Sequence, residues 1–192
     1  MLALALRYKD RIYYRQLEGN DKVSFGSGKK DTVKLQNMCE EQLHISTYGE
    51  RISIRSRAPF RYNQTDAPLG TMLPMDDADG TTLYISRATG TSRQVVTLPH
   101  NGMVYVGRAQ ANDICIGLPF VSGKHFQLRI MDGNVRVEDL NSTNGLYLNG
   151  LRIKAGMLRP GDELQILTVR IQMVNNTLRF ENVGNSLAVN ME

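Results

Sequence analysis

The sequence predicts an all-β protein made of two tandem β-sandwiches. Three observations carry this reading. Short runs that alternate apolar and polar residues fill almost the whole chain. Clusters of Gly, Asn and Asp interrupt them at close intervals, and no helical period is sustained. Finally, the second half repeats the pattern of the first.

In the first half the expected strands are Leu4-Ala5-Leu6-Arg7-Tyr8, Val23-Ser24-Phe25, Val33-Lys34-Leu35, Gln42-Leu43-His44-Ile45-Ser46, Arg51-Ile52-Ser53-Ile54-Arg55 and Leu83-Tyr84-Ile85-Ser86. Turns fall at Gly19-Asn20-Asp21, Gly26-Ser27-Gly28, Tyr48-Gly49-Glu50 and Asp79-Gly80. Only Asn37-Met38-Cys39-Glu40-Glu41 invites a helical turn. The second half has stronger strands at Met103-Val104-Tyr105-Val106, Asp113-Ile114-Cys115-Ile116, 125–131, 134–139, Leu164-Gln165-Ile166-Leu167, 169–173 and Leu178-Arg179-Phe180. Within 125–131 the side chains of Phe126, Leu128 and Ile130 share one face, and Gln127 and Arg129 take the other.

The repeat has a nearly constant register. Gly26 corresponds to Gly107, Gly49 to Gly133 and Gly80 to Gly161, at offsets of 81, 84 and 81 residues. Val33-Lys34-Leu35 corresponds to Ile114-Cys115-Ile116. Duplication of one sandwich explains this spacing. The domains are expected at 1–92 and 93–184, with 185–192 a flexible tail or the start of a linker. Gly90-Thr91-Ser92 and Pro99-His100 interrupt the strands at the junction.

Composition narrows the function classes. The chain is 41% hydrophobic and carries a formal charge of +4. Its Lys and Arg are scattered, without the clustered stripe that a nucleic-acid surface needs, so a solvated surface is expected. Cys39 and Cys115 lie far apart with no metal or disulfide spacing. No metal and no cofactor are expected, and a reducing, cytoplasmic compartment fits. Met1-Leu2-Ala3-Leu4-Ala5-Leu6 is apolar but breaks at Arg7, too short for a membrane span. No nucleophile–base pair stands out, and no catalytic residue is assigned. Gly26-Ser27-Gly28-Lys29-Lys30 has the wrong glycine spacing for a phosphate loop. Asp76-Asp77-Ala78-Asp79-Gly80 would place Met75 and Ser86 where a calcium loop needs carboxylates.

The organising stretch is Asn141-Ser142-Thr143-Asn144-Gly145-Leu146-Tyr147-Leu148-Asn149-Gly150, in which two Asn-Gly pairs make turns around a very short strand. Taken with Gly107-Arg108 and Ser122-Gly123-Lys124-His125 upstream, it resembles the signature of the forkhead-associated (FHA) domain family, over roughly 101–183. The resemblance implies two FHA-like sandwiches, the first of them degenerate. It also implies phosphothreonine recognition by loops at one end of the second sandwich. Arg108 would pair with the phosphate, Ser122 would donate its hydroxyl to a phosphate oxygen, and Thr143 would contact the phosphate or the phosphothreonine neighbourhood. Asn144 would hold the peptide backbone, while His125, Gly107, Gly145 and Asn149 would support the loops. Two positions depart from the family pattern: Gly123, where Arg or Asn is frequent, and Leu146, where Thr is usual. In the first half Ser27 stands in the place of Arg108, and Pro59-Phe60-Arg61-Tyr62-Asn63 replaces the Asn-Ser-Thr-Asn-Gly turn.

The tandem arrangement resembles the amino-terminal cytoplasmic region of the FtsK/SpoIIIE-type ATPases of type VII secretion systems, the EssC type. In those proteins transmembrane helices and ATPase domains follow. The end of this chain, shortly after Gly184-Asn185-Ser186-Leu187, reads as the end of a fragment. The expected function is non-catalytic docking of a partner protein, such as another secretion-system component. That docking would work through phosphothreonine, or else independently of phosphate by shape and hydrogen bonds. A reading of a different class has the basic surface bind nucleic acid or anionic lipid, which predicts a steep salt dependence.

Overall fold

Alternating burial organises the chain in the computed structural model, which describes residues 1–36, 38, 42–49, 51–57, 69–75, 79–89 and 94–191. Two compact units result. One holds Met1–Lys9 and Tyr13–Ala88, and the other holds Asp10–Ile12 and Thr89–Glu192.

The first unit carries β1 (Leu2–Tyr8), most of β2 (Arg11–Leu17), β3 (Lys22–Gly26), β4 (Val33–Lys34), β5 (Leu43–Tyr48), β6 (Arg51–Ser56), β7 (Met72–Pro74) and β8 (Thr82–Arg87). Its sheets run β7-β8-β1-β2 and β4-β3-β5-β6. Leu4, Leu6, Leu17, Phe25, Leu43, Ile45 and Leu83 form its buried core. Removing such side chains from water is the main stabilising term, at about 25 cal/mol per Å² of apolar surface.

The second unit carries β9 (Gln94–Thr97), β10 (Gly102–Gly107), β11 (Ile114–Ile116), β12 (Phe126–Met131), β13 (Asn134–Asp139), β14 (Leu146–Leu148), β15 (Leu151–Ile153), β16 (Ala155–Leu158), β17 (Glu163–Ile166), β18 (Val169–Val174), β19 (Thr177–Glu181) and β20 (Leu187–Val189). One sheet runs β15-β14-β17-β18-β19-β9 and the other β16-β13-β12-β10-β11-β20. On β12 the residues Phe126, Leu128 and Ile130 are buried, as the alternation requires, while Arg129 and Met131 are exposed. Among the described residues the fold is all-β apart from a single 3-10 turn at Gly184–Ser186.

The duplication is written into strand register. In the first unit β3 and β4 pair in parallel as Phe25↔Val33 and Gly26↔Lys34. In the second, β10 and β11 pair in parallel as Val106↔Ile114 and Gly107↔Cys115, each residue 81 positions further on. The hairpins β5–β6 and β12–β13 close alike, Tyr48 opposite Arg51 and Met131 opposite Asn134.

Several expectations differ from the structure. The stretch 185–192, expected as a flexible tail or the start of a linker, carries secondary structure as far as Val189. Leu187–Val189 is an edge strand on β11, held by the register Ile116↔Leu187 to Ile114↔Val189 and by Asn190, whose amide N–H donates to Asp113 O at 2.8 Å. The strand Gln94–Thr97 lies in what the sequence presents as a junction, and pairs with β19. Arg11–Leu17 escaped notice because only Ile12 and Leu17 of its seven residues are buried, so no alternation shows. The expected helical turn at 37–41 lies outside the described residues except for Met38, and Pro59-Phe60-Arg61-Tyr62-Asn63 lies outside them altogether. Among the described residues no helix is long and apolar enough to cross a membrane, and no group of three His, Cys, Asp or Glu could hold a metal.

Candidate functional site at the loop end of the second unit

Three loops meet at one end of the second sandwich: the one after β10 (Gly107), the one before β12 (Phe126) and the one between β13 (Asp139) and β14 (Leu146). The first two approach as closely as backbone allows. Arg108 N donates to Ser122 O at 2.8 Å, and Ala109 N donates to Gly123 O at 3.0 Å. This explains Gly107. A Cβ there would stand 2.4 Å from Gly123 O and 2.9 Å from both His125 N and Ser122 O, all backbone atoms that cannot step aside.

The third loop is stapled to the second through Ser122. Its hydroxyl oxygen accepts the amide N–H of Thr143 at 3.0 Å, and its own O–H faces Thr143 Oγ1 at 3.4 Å. Asn144 Nδ2 donates to Phe120 O at 2.8 Å. The structure therefore brings Ser122, Thr143 and Asn144 together. Arg108 stands on the strand end whose backbone bonds this loop, and its Nε donates to Val121 O at 3.2 Å. That bond fixes the inner edge of the guanidinium and leaves the two Nη groups at the outer edge. The side chain is exposed, and no described carboxylate lies within ion-pair distance of it. A cationic fork without a described acid, on the loop whose backbone is bonded to Ser122, suits a bidentate oxyanion.

His125 is the buried bracket beneath these loops. Nδ1 accepts the amide N–H of Ser122 at 3.1 Å, which places the ring proton on Nε2, and Nε2–H then donates to Gly145 O at 3.3 Å. Burial lowers its pKa, against smaller raising effects from the Gly145 carbonyl and the Asp139 carboxylate. Gly145 takes a left-handed φ of +79°, and a Cβ there would meet Arg152 Nε at 2.9 Å. Asn149 also takes a positive φ (51°) and ties its turn to the next one, Nδ2 donating to Asp162 Oδ1 at 2.8 Å and Oδ1 accepting Glu163 N at 2.9 Å.

Sequence reasoning missed Asn112. Only 2% exposed, it donates through Nδ2 to both Ala109 O and Gly123 O at 2.7 Å, clasping the Arg108 loop to the Ser122 loop. An amide side chain four residues after Arg108, directly before a strand, was the available signal. The two departures have separate outcomes. Leu146 is fully buried, so its position serves the core. A Cβ on Gly123 would meet nothing within 4 Å, so that glycine is not required by the packing.

The first unit offers a contrast at the corresponding place. Its Gly26-Ser27-Gly28 turn is closed by Asp31, whose Oδ2 accepts Gly28 N at 2.8 Å. A nearly buried carboxylate already occupies that loop.

Residues 104–167 match the model of the FHA domain family, a stretch that lies within the second unit and takes in Arg108, Ser122, His125, Thr143 and Asn144. Across 100% of its length the chain shares the fold of the N-terminal FHA domain from EssC, a component of the bacterial type VII secretion apparatus, with a TM-score of 0.79, 16% identity and 96% of that chain covered. Over 84 residues it is 36% identical to the ABC transporter ATP-binding/permease protein Rv1747 of Mycobacterium tuberculosis, a match that takes in 43% of this chain and 10% of the transporter. It is 29% identical over 134 residues to the glycogen accumulation regulator GarA of Mycolicibacterium smegmatis, covering 64% of this chain and 83% of the regulator. The chain thus spans only a tenth of the length of the transporter it matches.

Proposed function

We propose that this chain is a docking module of a type VII secretion membrane ATPase, on the cytoplasmic face of the membrane, and that its second unit recognises a phosphothreonine on a partner protein. The supporting observation is the exposed Arg108 guanidinium, held at Nε by Val121 O and without a described acid partner, on the loop whose backbone is bonded to Ser122, whose hydroxyl faces that of Thr143. In this reading Arg108 takes the phosphate with its two Nη groups, Ser122 and Thr143 turn their hydroxyls to the remaining oxygens, and Asn144 positions the peptide backbone. A phosphothreonine brings about −1.5 to −2 charges at neutral pH, which favours a cationic fork over neutral donors alone. The first unit acts as a scaffold without a phosphate site, in keeping with Asp31 inside its corresponding loop.

A second reading, docking of an unmodified partner at the same loops, draws on Gly123, which supplies one side-chain donor fewer than the family pattern. A calorimetric or NMR titration with a phosphothreonine peptide pool separates the two. Saturable binding that requires both the phosphate and Arg108 supports the first reading. Equal binding of the unphosphorylated pool supports the second.

A further inference from the structure

The outer face of the sheet β16-β13-β12-β10 carries a row of side chains that the sandwich itself does not need. Strand register places Met103 opposite Arg129, Arg129 opposite Arg136, and Arg136 opposite Met157. Two arginines therefore stand directly across from one another in the middle of the sheet, an arrangement of like charges that costs stability. Both are exposed, and neither has a described carboxylate within ion-pair distance. The acid on the neighbouring row, Glu138, instead accepts a hydrogen bond from Gln127 Nε2 at 2.8 Å. At the flanks Met103 is 37% exposed and Met157 45%, and Met131, on the same face of β12, is 61% exposed.

The duplication supplies an internal comparison. At the corresponding register of the first unit, Lys22 stands opposite Ser46 and Ser46 opposite Ser53. The same sheet positions thus fold without methionine and without paired arginines. Among the described residues of the first unit no such row occurs. Methionine and arginine are among the residues enriched at protein interfaces, and methionine adapts its shape to a partner.

We infer that this face is a second docking surface, and that its partner is an acidic protein segment whose carboxylates pair with Arg129 and Arg136 while its apolar side chains cover Met103, Met131 and Met157. Two arginines amid three methionines are too few charges and too much apolar surface for a lipid headgroup layer, where clusters of four to eight basic residues are typical. Met103 and Gly107 lie four residues apart on β10, about 13 Å at 3.3 Å per residue, so the surface is separate from the Arg108 loop. A partner could hold both at once, with the gain in avidity that two linked contacts give.

The test labels the methionine methyl groups with carbon-13 and follows Met103, Met131 and Met157 by NMR. The probes are a short peptide rich in Glu and Leu, its counterpart with every Glu replaced by Gln, and phosphatidylserine vesicles. The inference expects the Glu–Leu peptide to move all three methyl resonances. It expects affinity to fall about tenfold or more, equivalent to one decade in Kd, for the Gln peptide and for an Arg129→Ser/Arg136→Ser variant. The first unit already tolerates serine at both register positions, so this variant should fold. Binding should persist in Arg108→Ala, whatever becomes of phosphothreonine recognition. Unmoved methyls, equal binding of the Gln peptide, or shifts produced by vesicles and not by peptide would each overturn the inference, the last by making the face a membrane contact.

Discussion

Nδ1 of His125 accepts the amide N–H of Ser122 at 3.1 Å, so a fully buried imidazole sets the loop that presents the Ser122 hydroxyl. The bond works only while Nδ1 is bare. Protonation would turn an acceptor into a donor facing another donor, and burial already holds the pKa below the ordinary histidine value. The unfolded chain protonates this histidine near pH 6.5, and the folded chain does so only at lower pH. Between those two values the unfolded state binds more protons. The contribution of His125 is therefore complete above about pH 6.5 and is lost as pH falls below it, at up to about 1.4 kcal/mol per pH unit, until the folded imidazole protonates. Thermal unfolding between pH 7 and pH 5 should show this decline. A His125→Gln variant should be less stable at pH 7 yet show a shallower slope, and an unchanged slope would remove His125 from the account.

Gly107 and Gly133 make opposite demands on a side chain. At Gly107 an added methyl group would stand 2.4 Å from a backbone oxygen. Gly107→Ala must push the Arg108 and Ser122 loops apart, at about 3 kcal/mol or more. At Gly133, in the β12–β13 turn, there is open space and a φ of +77°. Gly133→Ala should cost only the left-handed strain, about 1–2 kcal/mol. Chemical denaturation of the two variants orders them, and amide shifts at 108–109 and 122–125 should move in the first and stay in the second.

Asn112 can be tested by charge as well as by deletion. Its two hydrogen bonds to backbone carbonyls are worth about 1 kcal/mol each, so Asn112→Ala should lose about 2 kcal/mol. Asn112→Asp keeps the shape but points a carboxylate at the oxygens of Ala109 and Gly123. The aspartate variant should be the less stable of the two at pH 7 and should recover as the carboxylate protonates. The reverse order would mean that Asn112 acts by filling space.

How much of this was legible depended on how each residue reports its role. The β12–β13 hairpin could be read because its inward side chains alternate without exception and Asp132-Gly133 marks the turn. The duplication could be read because glycines at turns kept their spacing. Strand β2 could not, since only two of its seven residues are buried. Strand β20 could not, because an edge strand of three residues with mostly exposed side chains carries no periodic signal. At the loop end, the motif identified the side chains that face outward. It was silent on Asn112, whose partners are main-chain carbonyls with no residue identity to recognise. The row of Met103, Arg129, Arg136 and Met157 was invisible for another reason: it exists only once four strands are placed in register.

Gly123 offers the most direct gain-of-function experiment. The position lies between Ser122, whose hydroxyl is in the loop cluster, and Lys124, whose ammonium sits 5.3 Å from the Tyr105 ring centroid. Its carbonyl is fully used, accepting from Ala109 N and Asn112 Nδ2, while the space a Cβ would enter is empty to 4 Å. Its φ lies outside the left-handed region, so no backbone strain opposes a side chain. Gly123→Arg should therefore fold with stability within about 0.5 kcal/mol of the parent, as is usual for an exposed substitution. If phosphothreonine binds at Arg108, the new guanidinium adds a charge-assisted hydrogen bond worth about 1.5–3 kcal/mol, a gain of roughly ten- to a hundredfold in affinity. Titration of parent and variant with the phosphothreonine peptide pool measures it, with the unphosphorylated pool as reference. A gain confined to the phosphorylated pool and abolished by adding Arg108→Ala would show that the two arginines share one phosphate. A gain equal for both pools would show that the added charge only attracts peptide, and would count against a phosphate site at this end of the sandwich.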